Sequence, residues 1–148
     1  MLHAIRTKYE HTIYAGYLGY ITQAVVNNFA PLLFITFAKD YGLSLEKITL
    51  ITTINFLVQL LVDLISAKVM DKLGYRLGAV GAHIFAAAGL VGMALLPSLF
   101  ADPYIGLLLA VVLYAVGGGT IEVLISPIIE ACLFIAGAAA FKTLRRMP

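Results

Sequence analysis

Thr12 to Ala38 reads TIYAGYLGYITQAVVNNFAPLLFITFA, without a single charge, and stops at Lys39 and Asp40. A bilayer core about 30 Å thick is crossed by ~20 helical residues, so this run is long enough by itself. Three more runs follow it. Ile48 to Ala67 carries one charge, Asp63. Leu77 to Leu96 carries none, and Tyr104 to Glu130 carries Glu122 in its interior. Only helices and closed barrels satisfy their backbones in lipid. Continuous apolar runs without period-2 alternation predict helices. The expected fold class is therefore all-α, a polytopic membrane bundle of about four transmembrane helices.

Composition agrees. Of the 148 residues, 61% are hydrophobic and 12% charged. An average soluble domain has roughly 45–50% and about 25%. A chain this short has too high a surface-to-volume ratio to hide that much apolar surface from water, whereas lipid covers it. A net charge of +2 gives no footprint for nucleic acid. The lone Cys132 allows no intrachain disulfide. Gly117 to Gly119 lack the Lys-Ser/Thr of a phosphate loop, and His3, His11 and His83 are scattered. With no nucleophile–base pair in view, neither an enzyme nor a metal or cofactor is expected.

The organisation follows from the spans. Residues 1–11 form an N-terminal segment, 12–38 the first helix, 48–67 the second and 68–76 a loop. The third helix is 77–96 and the fourth 104–130. Residues 131–148 form a short apolar stub with a basic tail, expected at the membrane interface. Ser44 is a candidate cap for the second helix, and Pro31 and Pro127 are expected to kink theirs. On this plan Arg6, Lys8, Lys68, Lys72, Arg76, Lys142, Arg145 and Arg146 fall on one side, and only Lys39 and Lys47 on the other. Basic residues favour the cytoplasmic side. The expectation is a multi-pass protein of the cell membrane with both termini in the cytoplasm.

Polar residues sort onto faces at ~100° per residue. In the first span Tyr17, Tyr20, Gln23, Asn27, Asn28 and Pro31 share one side, opposite Ile21, Val25, Phe29 and Leu32. In the second, Thr49, Thr52, Asn55, Gln59, Asp63 and Ser66 form a stripe opposite Leu50, Ile54, Leu57, Leu61 and Ile65. Side-chain amides have no partner in lipid, so these stripes face protein or water. Interhelical hydrogen bonds at about 0.6 kcal/mol each explain any one of them. Two long stripes on adjacent helices suggest a lined pathway through Tyr20, Gln23, Asn27, Asn28, Asn55 and Gln59. Asp63 and Glu122 are stronger signals, because a carboxylate at a helix centre costs roughly 2.5–3.5 kcal/mol on insertion scales and marks proton or ion paths. Asp63 could instead pair with Lys68. Gly118, Gly119 and Ser126 share the face of Glu122. In the third helix Gly78, Ala82, Gly89 and Gly92 form a seam for close packing.

The stretch after the second span, Ala67-Lys-Val-Met-Asp71-Lys72-Leu-Gly74-Tyr75-Arg76, resembles the signature loop of the major facilitator superfamily, G-x-x-x-D-[RK]-x-G-[RK]-[RK]. Asp71, Lys72, Gly74 and Arg76 match; Ala67 and Tyr75 depart. The stretch Gly119-Thr-Ile-Glu122-Val-Leu-Ile-Ser126-Pro127 looks like the fucose-permease-type G-x-x-E-x-x-x-N-P, with Ser126 where Asn is usual. The first helix of that branch carries an acidic residue, where Asn27 and Asn28 stand here. The resemblance covers roughly residues 12 to 132, equivalent to the first four helices of a twelve-helix family whose substrate sits between two halves. It implies a partial N-terminal half, with Asp71, Lys72, Gly74 and Arg76 as a gating loop and Glu122 on a proton and substrate pathway. The expected function is a truncated secondary transporter for a small solute, proton-coupled and incomplete alone, with lipid and a second membrane half or oligomer as partners. The alternatives are a non-transporting four-helix interaction protein and a small multidrug-type carrier acting as an oligomer.

Overall fold

The structure, a computed structural model, describes residues 2–144, with the side chains of 11–66, 68–70, 72–135, 137 and 138. Five α-helices and no strand occur among them: α1 Leu2–Leu32, α2 Phe34–Tyr41, α3 Leu45–Leu73, α4 Tyr75–Leu99 and α5 Pro103–Leu144. Four stretches are long and apolar enough to cross a membrane, His11–Tyr41, Leu45–Ser66, Tyr75–Leu99 and Pro103–Ile135.

The first of these joins α1 to α2 across one tightened turn. Pro31 has no N–H to donate within the helix. Two residues later the Leu33 N–H donates to the Ala30 carbonyl at 3.0 Å, a three-residue spacing, and Phe37 N–H on Leu33 restores the regular pattern at 2.8 Å. Pro127 causes no such break, since α5 continues through it. Pro97, placed by the sequence in a connection, is buried inside the last turns of α4.

Connections are shorter than expected. Gly42 ends α2 in the left-handed region at φ 61, ψ 30. Ser44 caps α3, accepting the Lys47 N–H at 3.4 Å. The expected loop 68–76 shrinks to Gly74. Asp71 and Lys72 lie in the last turn of α3 and Arg76 in the first turn of α4; the side chains of Ala67 and Asp71 lie outside the described residues. The expected stub after residue 130 is the continuation of α5, which runs unbroken to Leu144; Arg145 and Arg146 of the basic tail lie outside the described residues.

α5 is the hub, packing against α4, α3 and α1, which touch one another far less. Of its span 61% is buried, against 17% to 28% in the others. Neighbouring residues give the directions. Gly16 faces Ile129, Gly19 faces Ile125 and Gly118 faces Asn27, so α1 runs antiparallel to α5. Gly78 faces Leu124, Gly89 faces Tyr114 and Gly106 faces Leu96, so α4 does too. Tyr104 donates to the Lys47 carbonyl at 3.3 Å and Gly119 lies on Gln59, so α3 is parallel to α5. The chain thus runs up, down, up and down. The described ends of α1 and α5 lie together, here termed the terminal end.

The α4–α5 contact is the closest. The expected seam is present, with Gly78, Ala82, Ala86, Gly89 and Gly92 buried. A Cβ on Gly89 would stand 2.6 Å from the Tyr114 Cβ, and one on Gly106 2.5 Å from the Leu96 carbonyl oxygen. Small residues let the two backbones approach, and van der Waals packing then holds them where lipid offers no hydrophobic drive. The outer face matches the helical wheels except at Ile54, which packs partly buried against the core: Ile21, Val25, Phe29, Leu32, Leu50, Leu57, Leu61 and Ile65 are all exposed, where lipid would cover them.

Candidate functional site

Three helices contribute to a polar ladder. Along α1, Tyr20, Gln23 and Asn27 recur at spacings of three and four, so one face presents all three. On α5, Ser126, Glu122 and Gly118 recur every four residues in the opposite direction. Antiparallel packing puts the two series in register. Tyr20 and Ser126 hydroxyls meet at 2.7 Å. Gln23 Nε2 donates to Glu122 Oε2 at 2.8 Å. Ser126 gives its single proton to the Glu122 carbonyl at 3.2 Å, so the Tyr20 O–H is the donor of their shared bond.

The next rung reaches α3. Gln59 Nε2 donates to Asn27 Oδ1 at 2.7 Å and to Asn55 Oδ1 at 3.2 Å, which uses both of its N–H groups. Asn55 and Gln59 are only 3% and 8% exposed. They fit because α5 has no side chain beneath them. A Cβ on Gly118 would come 2.9 Å from Asn27 Oδ1, and one on Gly119 would come 3.4 Å from Gln59 Cα. The paired glycines form the floor on which an amide clasp joins α1 to α3.

One turn toward the terminal end the arrangement opens. Gln23 precedes Asn27 by four residues, Asp63 follows Gln59 by four, and Glu122 follows Gly118 by four. Since α1 runs against α3 and α5, the three lie at one depth. Glu122 and Asp63 are both exposed there. Glu122 follows by three or four residues the two glycines that meet α3 and α1, so it sits on the side of α5 between those helices. Lys68, Lys72 and Arg76 lie exposed farther along, at the terminal end.

The ladder therefore unites Tyr20, Gln23, Asn27, Asn55, Gln59 and Glu122 of the expected pathway. It leaves out two. Asn28 is exposed and gives its amide N–H to the Ala24 carbonyl of its own helix at 2.8 Å. Asp63 shares the depth of Glu122 but takes no part in the hydrogen bonding. Of the expected pathway residues, the hydrogen-bond donor to Glu122 is Gln23. Ser126 joins the ladder without having been expected on the pathway, although its four-residue spacing from Glu122 was the signal. No family profile, curated protein or solved structure matches this chain.

Proposed function

We propose that this four-helix unit belongs to a secondary active transporter of the major facilitator type, in which a small polar solute moves past Glu122 and Glu122 exchanges protons during the cycle. In this reading the unit sits in the cell membrane with both termini cytoplasmic, and a second membrane half or another copy supplies the opposite wall of the path. Asp71, Lys72, Gly74 and Arg76 then act at the cytoplasmic gate. The observation that carries it is the position of Glu122. It stays exposed inside a membrane-long helix while hydrogen-bonded by Gln23, at the open end of a polar strip spanning three helices. A carboxylate left against lipid would be costly; one on a water-lined path has solvent and a reason to be there.

A second reading has its own support. Among the described residues no buried side-chain nitrogen or oxygen lacks a hydrogen-bond partner, as expected of a ladder that simply glues helices in a non-transporting interaction protein. Two measurements separate the readings. In a Cys132→Ser background, Glu122→Cys should react with a membrane-impermeant maleimide, while Leu61→Cys on the lipid face should not. In vesicles loaded with a pH dye, and with the opposite wall of the path supplied by a second half or copy, small polar solutes should drive proton flux that Glu122→Gln removes. An unreactive Glu122→Cys would favour the glue.

A further inference from the structure

We infer that the Asn27–Gln59–Asn55 clasp is a gate, closing the groove between α1 and α3 on the side away from the terminal end. The inference rests on the pathway reading of Glu122 and adds a moving part to it. α1 and α3 both pack on α5 but scarcely on each other. What spans the gap between them at this depth is one side chain, Gln59, holding Asn27 across the groove and Asn55 on its own helix. On the terminal side of that bridge Glu122 is exposed; on the other side Ala115 and Val111, on the same stripe of α5, are 0% and 1% exposed. The path is therefore open up to the clasp and shut beyond it.

The parts suit a device that opens and closes. Neutral amide hydrogen bonds in a membrane are weak, so the one that crosses the groove, from Gln59 to Asn27, yields to a modest competing interaction. A charged bridge at this depth would resist opening far more. The floor is equally specific. Gly118 and Gly119 leave room for Asn27 and Gln59 to seat, and a methyl on Gly118 would press on Asn27 Oδ1. The clasp closes only because α5 is bare at these two positions. The solute that opens it is one that offers hydrogen bonds of its own, exchanging them for those of Gln59 as it passes.

The test uses the full chain in liposomes, in the Cys132→Ser background, with a membrane-impermeant maleimide as probe. Glu122→Cys reports the open groove and Ala115→Cys the region behind the clasp. Gln59→Met keeps the side-chain length and removes both N–H donors. Gly118→Ala unseats Asn27 while leaving Gln59 intact. Each should raise labelling of Ala115→Cys about threefold, the factor carried by the one bond that crosses the groove, and leave labelling of Glu122→Cys unchanged. If Glu122→Cys labels but neither variant raises labelling of Ala115→Cys, the clasp is not a gate while the pathway reading stands. If Glu122→Cys does not label, the pathway reading fails first and the gate with it. Loss of monodisperse protein in both variants would show that the clasp holds the fold together, and would also overturn the gate.

Discussion

Gly74 and Gly42 both have positive φ, yet they impose different demands. Gly74 sits at φ 81, ψ 145, and Gly42 at φ 61, ψ 30. Neither would clash on gaining a Cβ, so the cost of substitution lies in the backbone. The Gly74 conformation is close to one that only glycine adopts freely, and Gly74→Ala should cost about 1–3 kcal/mol. The left-handed cap at Gly42 admits asparagine, so Gly42→Asn should cost less than Gly74→Ala. Unfolding of each variant in detergent would compare them. Glu122 offers a cleaner separation of structure from function. Glu122→Gln still presents an oxygen to Gln23 Nε2, so its unfolding midpoint should match that of the unaltered chain. Glu122→Leu removes that acceptor and should lose about 0.6 kcal/mol, the average for a membrane hydrogen bond. Residue type alone points to Glu122, Asn27 and Gln59, because polar groups in apolar runs need a reason. It does not give the pairing, since the register between helices is set by packing across the whole bundle. Asn28 shows the limit: it shares the broad polar side of the first span, but its amide is satisfied by Ala24 on its own helix.

At the scale of elements, the spans are legible from length and charge, and their ends are not. The residues Lys-Val-Met-Asp-Lys-Leu before Gly74 contain no helix breaker, so α3 carries on through the expected loop. The same holds after Glu130, where the Ala-rich stretch to Leu144 favours helix and Gly137 costs only about 1 kcal/mol. Leu133 to Phe141 is too short to span alone, but it need only extend a helix already formed. The central place of α5 is hidden for another reason. A helix apolar on nearly every side fits burial in protein or in lipid equally well. Its seam with α4 supplies a direct check. Gly89→Ala puts a methyl into the Tyr114 backbone and should cost about 1–3 kcal/mol. Gly81, on the same helix, has open space where a methyl would go, with nothing within 4 Å. Gly81→Ala should therefore be neutral or stabilising by up to about 1 kcal/mol, from helix propensity alone. Equal losses at the two positions in detergent unfolding would contradict the seam.

For the whole molecule, the alternation of α1, α3, α4 and α5 brings the described ends of the first and last helices together. The basic residues of the sequence gather at that end: Lys68, Lys72 and Arg76 lie there beside the segments that carry Arg6, Lys8 and Lys142. Lys47 is held at the opposite end, its Nζ 5.0 Å from the centre of the Tyr104 ring. The charge asymmetry, counted on a plan of four spans, agrees with the helix directions read from packing, which put the described ends of α1 and α5 at one end. Every functional proposal depends on this arrangement, because it decides from which side the groove at Glu122 opens. A reporter enzyme active only outside the cytoplasm measures it directly, fused after Pro148 in one version and inserted at Asp102 in the other. Four crossings with cytoplasmic ends predict silence from the fusion at Pro148 and activity from the insertion at Asp102. Activity at Pro148 with silence at Asp102 would contradict them.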